Sequence, residues 1–110
     1  HDLGGKLALI EKKTNNFIGL CGLLIQEVDN KSELEIAYSL LPNYWHNGFA
    51  MEAAKQCKLF ATTNKLADTL ISIIQIDNIP SQKVASSIGM QIDKKTTYHD
   101  NQVYIFRVAL

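Results

Sequence analysis

A chain of 110 residues, 46% hydrophobic and 20% charged, has enough apolar material for one core and too little length for two, so a single domain over residues 1–110 is expected. Eleven basic residues balance eleven acidic ones and Arg107 is the one arginine, which argues against a nucleic-acid surface built from clustered Lys and Arg. No apolar run reaches the roughly 18 residues needed to span a bilayer, and no basic segment followed by an apolar one opens the chain as an export leader would.

Lys6 to Glu11 reads as a strand, Lys12 to Asn16 as a polar turn, and Phe17 to Gln26 as a second strand, the two forming an antiparallel hairpin. Gly19 and Gly22 weaken the second strand and point to a bulge or a close backbone approach. After a polar turn over Val28 to Ser32, the segment Glu33 to Leu40 alternates. Leu34, Ile36 and Tyr38 take one face, and Glu33, Glu35 and Ala37 take the other. A loop containing Trp45, His46, Asn47 and Gly48 leads into a helical pattern from Phe49 to Ala61. Ala50, Ala53, Ala54, Cys57, Phe60 and Ala61 share one side of it. Met51 and Phe60 are read as core, and Asn64 as a candidate C-cap. The Ile-rich run Thr69 to Ile76 suits a central strand covered on both faces. Strand–helix–strand order there implies a parallel or mixed sheet. Asp77-Asn78-Ile79-Pro80 starts a short helix with Val84, Ala85 and Ile88 as its buried stripe, and Gly89 stops it. Gln91 to Tyr98 and Gln102 to Ala109 form a last hairpin about His99-Asp100-Asn101. Cys21 and Cys57 have neither metal-site nor Cys-x-x-Cys spacing. Both lie in apolar patterns and are expected as buried free thiols in a reducing, cytoplasmic setting.

The loop before the long helix is the first candidate site. A helix leaves its first four N–H groups without internal partners and carries partial positive charge at that end, so a glycine such as Gly48 would let a phosphate approach. An ordinary strand–loop–helix connection has the same appearance. No Gly-Lys-Ser/Thr follows the loop, which argues against a nucleoside-triphosphate enzyme. His1, His46 and His99 show no metal-ligand spacing, so no metal site is expected.

Glu35-Ile36-Ala37-Tyr38, Leu41-Pro42, Tyr44-Trp45, Gly48-Phe49-Ala50 and Glu52-Ala53, followed by Asn78, Ser81, Val84 and Gly89-Met90, resemble the GNAT family of N-acetyltransferases. The branch most like it acetylates the N-termini of ribosomal proteins and related amines. The resemblance runs from about Gly5 to Val108. It implies a mixed α/β (α+β) acyl-CoA N-acyltransferase fold of about six strands and two helices, the long helix on one sheet face and the short one near the other. It also implies acetyl-CoA as the cofactor and direct attack by a primary amine in a ternary complex. Leu40, Trp45, His46, Asn47, Gly48, Phe49, Ala50 and Met51 would then line the pyrophosphate loop, and Asn78 and Ser81 would reach the pantetheine arm and its sulfur. Trp45 replaces a usual polar residue, His46 a frequent glycine and Asn47 a frequent lysine, so weaker phosphate binding is expected.

Acetyl transfer needs a proton acceptor for the amine, a donor for the oxyanion and an acid near the leaving thiolate. Glu35 matches the family glutamate and is the candidate base, with Glu33 in reserve; a structural strand carboxylate is the other reading. Ser81 is the candidate acid, or a helix-start residue, and Asn78 a ligand, a cap or both. A tyrosine used by many relatives is Ala85 here. The resembled family opens with a further strand and one or two helices that form part of the acceptor groove. The sequence starts at the second strand, so either an N-terminally truncated chain or a natural short form is expected, with a homodimer through the exposed strand edge able to supply the missing cover. A non-catalytic CoA-binding or interaction module is the alternative function. Gly48→Trp is expected to abolish coenzyme A binding without unfolding the chain, checked by calorimetry alongside circular dichroism.

Overall fold

Two tight turns set the register of most of the sheet. In the computed structural model, which describes residues 6–10, 17–40 and 49–110 and the side chains of 22–38 and 50–110, the elements are β1 (Lys6–Ile10), β2 (Phe17–Val28), β3 (Lys31–Leu40), α1 (Phe49–Thr63), β4 (Thr69–Gln75), α2 (Ile79–Ser87), β5 (Gln91–Tyr98) and β6 (Asn101–Ala109). Asp29 and Asn30 (φ 48° and 68°) join β2 to β3, and His99 and Asp100 (φ 50° and 65°) join β5 to β6. Two consecutive positive φ values give the two-residue turn whose twist matches the strands on either side. The polar turn expected over Val28 to Ser32 therefore shrinks to Asp29-Asn30, and Val28 becomes a buried strand residue.

The strands form one six-stranded sheet in the order β1-β2-β3-β4-β6-β5, with β3 and β4 parallel and the other neighbours antiparallel. This is the mixed sheet that the alternation of strands and helices implied. β1 is the outermost strand on one side among the described residues. The β1–β2 register slips beside Gly19, where Leu9 pairs with Gly19 but Ile10 pairs with Phe17.

Helix α1 lies on the sheet through small residues. Ala50, Ala54, Cys57 and Ala61 are buried at a spacing of three to four, so the helix approaches closely. Phe60 is 57% exposed and Met51 38%, which corrects their reading as core: each falls outside the alanine stripe. Asn64 caps α1 as expected, its Nδ2 donating to the Phe60 carbonyl at 2.8 Å. The left-handed residue after it is Lys65 (φ 51°). Lys65 N donates to Thr62 O and Leu66 N to Ala61 O, which satisfies the last carbonyls. α2 ends the same way at Gly89 (φ 89°), with Gly89 N donating to Ser86 O and Met90 N to Ala85 O.

Ala54 and Ala61 of α1, Val84 and Ala85 of α2 and Ile88 just past its end belong to one apolar cluster with Leu34, Ile36, Leu70, Ile74 and Phe106. Both helices thus serve the same sheet face, and the expectation that α2 lies near the opposite one is corrected. Its reason is the alternation of β4: Leu70 and Ile74 meet the helices, while Ile71 turns away into a second cluster with Val28, Val103 and Ile105. On that second face a polar bridge crosses four strands. Arg107 of β6 donates through Nη1 and Nη2 to both oxygens of Glu33 on β3, at 3.0 and 2.6 Å, through Nη1 to Thr69 Oγ1 on β4, and through Nε to Asp93 on β5.

The hydrogen bonds from Arg107 hold the Glu33 carboxyl below its ordinary range, against the opposing effect of burial. A depressed carboxyl contributes stability above the unfolded-state value and loses it as pH falls through the folded one. Arg107→Ala is therefore expected to lower unfolding free energy by about 2 kcal/mol at neutral pH, the scale of a charged hydrogen bond. The difference from the parent should shrink in acid; urea unfolding at neutral pH and at pH 3 checks both.

Candidate active site

The sheet opens where its two parallel strands meet. β3 and β4 share a single ladder pair, Glu35 with Ile71. Beyond it, Ile36, Ala37 and Tyr38 on one side and Ser72 to Gln75 on the other line a cleft of about 370 Å³, with Asn78 and Ser81 at its mouth. A crevice at the carboxyl ends of parallel strands is where open α/β sheets bind ligands. Deep in the cleft, Ser72 Oγ donates to the Ile36 carbonyl at 3.4 Å and ties one wall to the other. At the mouth, Tyr38 Oη donates to the Ser81 carbonyl at 2.7 Å, so a side chain of β3 holds the first turn of α2.

Asn78 is the N-cap of α2, with Oδ1 accepting from Ser81 N at 3.3 Å. Its capping role is present, and it also borders the cleft. Ser81 is anchored twice through its backbone, by Asn78 and by Tyr38, and lines the cleft. Glu35 stands at the apex. It is 8% exposed, and its Oε1 accepts from Gln26 Nε2 of β2 at 3.1 Å. Glu33, the reserve base, has both oxygens bound by Arg107 and its carboxyl held low, a poor state for accepting a proton. The structure thus separates two carboxylates that the sequence places on one strand face.

Of the loop candidates, Trp45, His46, Asn47 and Gly48 lie outside the described residues, as do the side chains of Leu40 and Phe49. Ala50 is buried in the α1 stripe, so what it can offer a ligand is its backbone N–H at the helix start. Met51 faces away from the cleft into a different, wider groove of about 850 Å³ beside Ile79, Lys83 and Ile92. Cys57 is buried, as expected; the side chain of Cys21 lies outside the described residues. Tyr38 and Gln26 are site residues that sequence reasoning missed. Tyr38 was legible as an inward-facing residue, but its hydroxyl partner is 43 positions away. Gln26 could be tied to Glu35 only once the β2–β3 register was known.

Known proteins share the sequence pattern and the fold of this chain. The family model described as an acetyltransferase (GNAT) domain matches residues 2–91, and the chain belongs to the GNAT acetyltransferase family. It is 33% identical over 84 residues to the uncharacterized protein YkkB of Bacillus subtilis, covering 76% of this chain and 49% of that one. Among solved structures it is similar to an acetyltransferase from Agrobacterium tumefaciens, with TM-score 0.79 and 25% identity over 94% of this chain and 60% of the other. It also resembles the aminoglycoside acetyltransferase AAC(6')-Ib in complex with coenzyme A in fold, with TM-score 0.72 and 10% identity, covering 86% and 61%. The chain spans about half the length of the curated relatives it matches. No helix among the described residues is long and apolar enough to cross a membrane.

Tyr38→Phe removes the tie across the mouth and leaves the ring in place. It is expected to cost about 1 kcal/mol of stability, the net worth of one hydrogen bond, and to speed amide hydrogen exchange in the first turn of α2 more than in α1. Exchange measured by NMR on both proteins checks this.

Proposed function

We propose that this chain carries the cofactor cleft and the proton-accepting carboxylate of an acetyl-CoA-dependent N-acetyltransferase. The observation that supports it most is the parting of β3 and β4 directly beyond Glu35, in a member of the GNAT family. The strands part while running parallel, so backbone amides on their facing edges are turned to the cleft rather than to each other. A linear, amide-bearing arm such as pantetheine fits that edge as a surrogate strand would. Asn78 and Ser81 border its mouth, and the start of α1 with the loop Trp45 to Ala50 is assigned the pyrophosphate.

When bound, acetyl-CoA supplies an acetyl group activated as a thioester. Glu35 accepts the proton that the acceptor amine loses, directly or through water. Ser81, fixed by its two backbone anchors, offers its hydroxyl as hydrogen-bond donor on the thiol side. The acceptor is a primary amine, either a protein N-terminus, as the ribosomal-protein-like motif suggests, or a small amine. We place the protein in the cytoplasm, with β1 as the edge through which a second copy pairs.

A second reading, a CoA-binding module without catalysis, is favoured by the burial of Glu35 and its bond to Gln26, which also suit a structural carboxylate. Calorimetry with coenzyme A and an acetyl-transfer assay separate the two. Catalysis predicts that Glu35→Gln keeps cofactor affinity and slows transfer at neutral pH by roughly 10²–10⁴-fold, with a smaller loss at high pH where the amine is already neutral. Cofactor binding with no transfer to any amine by the parent supports the second reading.

A further inference from the structure

Glu35 is held by a neighbour that the family motif does not include. Gln26 lies on β2, one register step along from the residue paired with Glu35: Leu24 pairs with Glu35 and Gln26 with Glu33. Cross-strand pairs share a face, so Gln26, Glu33 and Glu35 project together on the side away from the helices. An amide between two carboxylates could serve either. Here Glu33 is turned to β6 by the Arg107 fork, which binds both its oxygens, and Gln26 Nε2 donates to Glu35 Oε1 at 3.1 Å. The amide must present nitrogen, since its oxygen against a carboxylate would repel.

We propose that Gln26 is the positioning residue of the catalytic carboxylate, fixing Glu35 in rotation and favouring its ionised form for proton acceptance; this rests on the reading of Glu35 as the base. The carboxylate is almost wholly buried, and a buried charge needs hydrogen bonds in place of water. Arg107 acts at one remove. By neutralising Glu33 it keeps a like charge two residues away from raising the cost of ionising Glu35. Among the residues whose side chains are described, the other charged or titratable groups of this face are Lys31 on β3, Lys94 and Asp93 on β5, and Tyr98 at the end of β5, and the register puts Lys6 of β1 on the same face. Lys94 pairs with Asp29 and Asp93 with Arg107. Tyr98, packed against the Ile71–Val103–Ile105 cluster, has its phenol raised by burial first and then by the Glu35 charge. Gln26 is an uncharged donor seated on Glu35 itself.

Two substitutions of similar length give opposite signs. Gln26→Met removes the donor and Gln26→Lys replaces it with a cationic one. The Glu35 carboxyl titration, read by carbon NMR on the folded chain, is expected to move up by roughly 0.5–1 pH unit in the first and down in the second, since a hydrogen bond of about 1 kcal/mol corresponds to most of a unit. With acetyl-CoA and an alanine-starting peptide as the probe amine, the acid limb of the kcat/KM profile should follow the same shifts. KM for acetyl-CoA should stay constant, and Glu35→Gln should remove the limb. An unmoved Glu35 titration in both Gln26 variants overturns the proposal and leaves the base reading standing if Glu35→Gln still removes the limb. A limb that survives Glu35→Gln overturns the base reading, and the proposal with it. A merely structural role for Gln26 would lower stability in both variants without moving the titration in opposite directions.

Discussion

Two parallel strands that meet at one ladder pair govern this molecule. Parallel neighbours cannot be joined by a tight turn and need a crossover, which here is α1. The turns at Asp29-Asn30 and His99-Asp100 keep β2 with β3, and β5 with β6, in register over their length. β3 and β4 have no such turn between them, and cross-sheet side chains reinforce their one ladder pair. The Arg107 fork secures them before the bridge pair, Ser72 spans them just beyond it, and Tyr38 reaches the start of α2 at the mouth. The cleft is what remains between these three ties.

The alternation of β3 then divides the labour. Leu34 and Ile36 face the helices and join the core, while Glu33 and Glu35 face the other way. Two glutamates on one strand face would ordinarily share an environment and repel. Partners from different strands make them unlike: a cation from β6 pairs with one, and a neutral amide from β2 holds the other. Burial alone cannot produce that difference, since both are mostly removed from water.

Small side chains decide how the helices sit. The alanines at 50, 54 and 61 let α1 lie close to the sheet, which leaves its larger residues Leu59 and Phe60 on the outside. α2 packs into the same cluster and contributes its own Ala85, fully buried, so its first turn comes within reach of Tyr38. Lys58 of α1 donates to the Ile88 carbonyl at 2.8 Å and satisfies the end of α2, which couples the two helices.

Most of the elements were legible in the sequence because they follow from local chemistry. Period-two alternation marked β3, an Ile-rich run marked β4, and Asn78 and Gly89 marked the two ends of α2, each within a residue or two of its observed bounds. The family motif singled out Glu35, Asn78 and Ser81, and all three border one cleft. Tertiary structure decided what depends on distant partners. That both helices share a face, that Phe60 is exposed, and that Glu33 belongs to Arg107 rather than to the cleft follow from packing and register across 74 positions of chain. A sequence pattern states which face a side chain takes, but a hydrogen bond requires a second atom at about 3 Å, and only the closed sheet brings Gln26 to Glu35 and Tyr38 to Ser81.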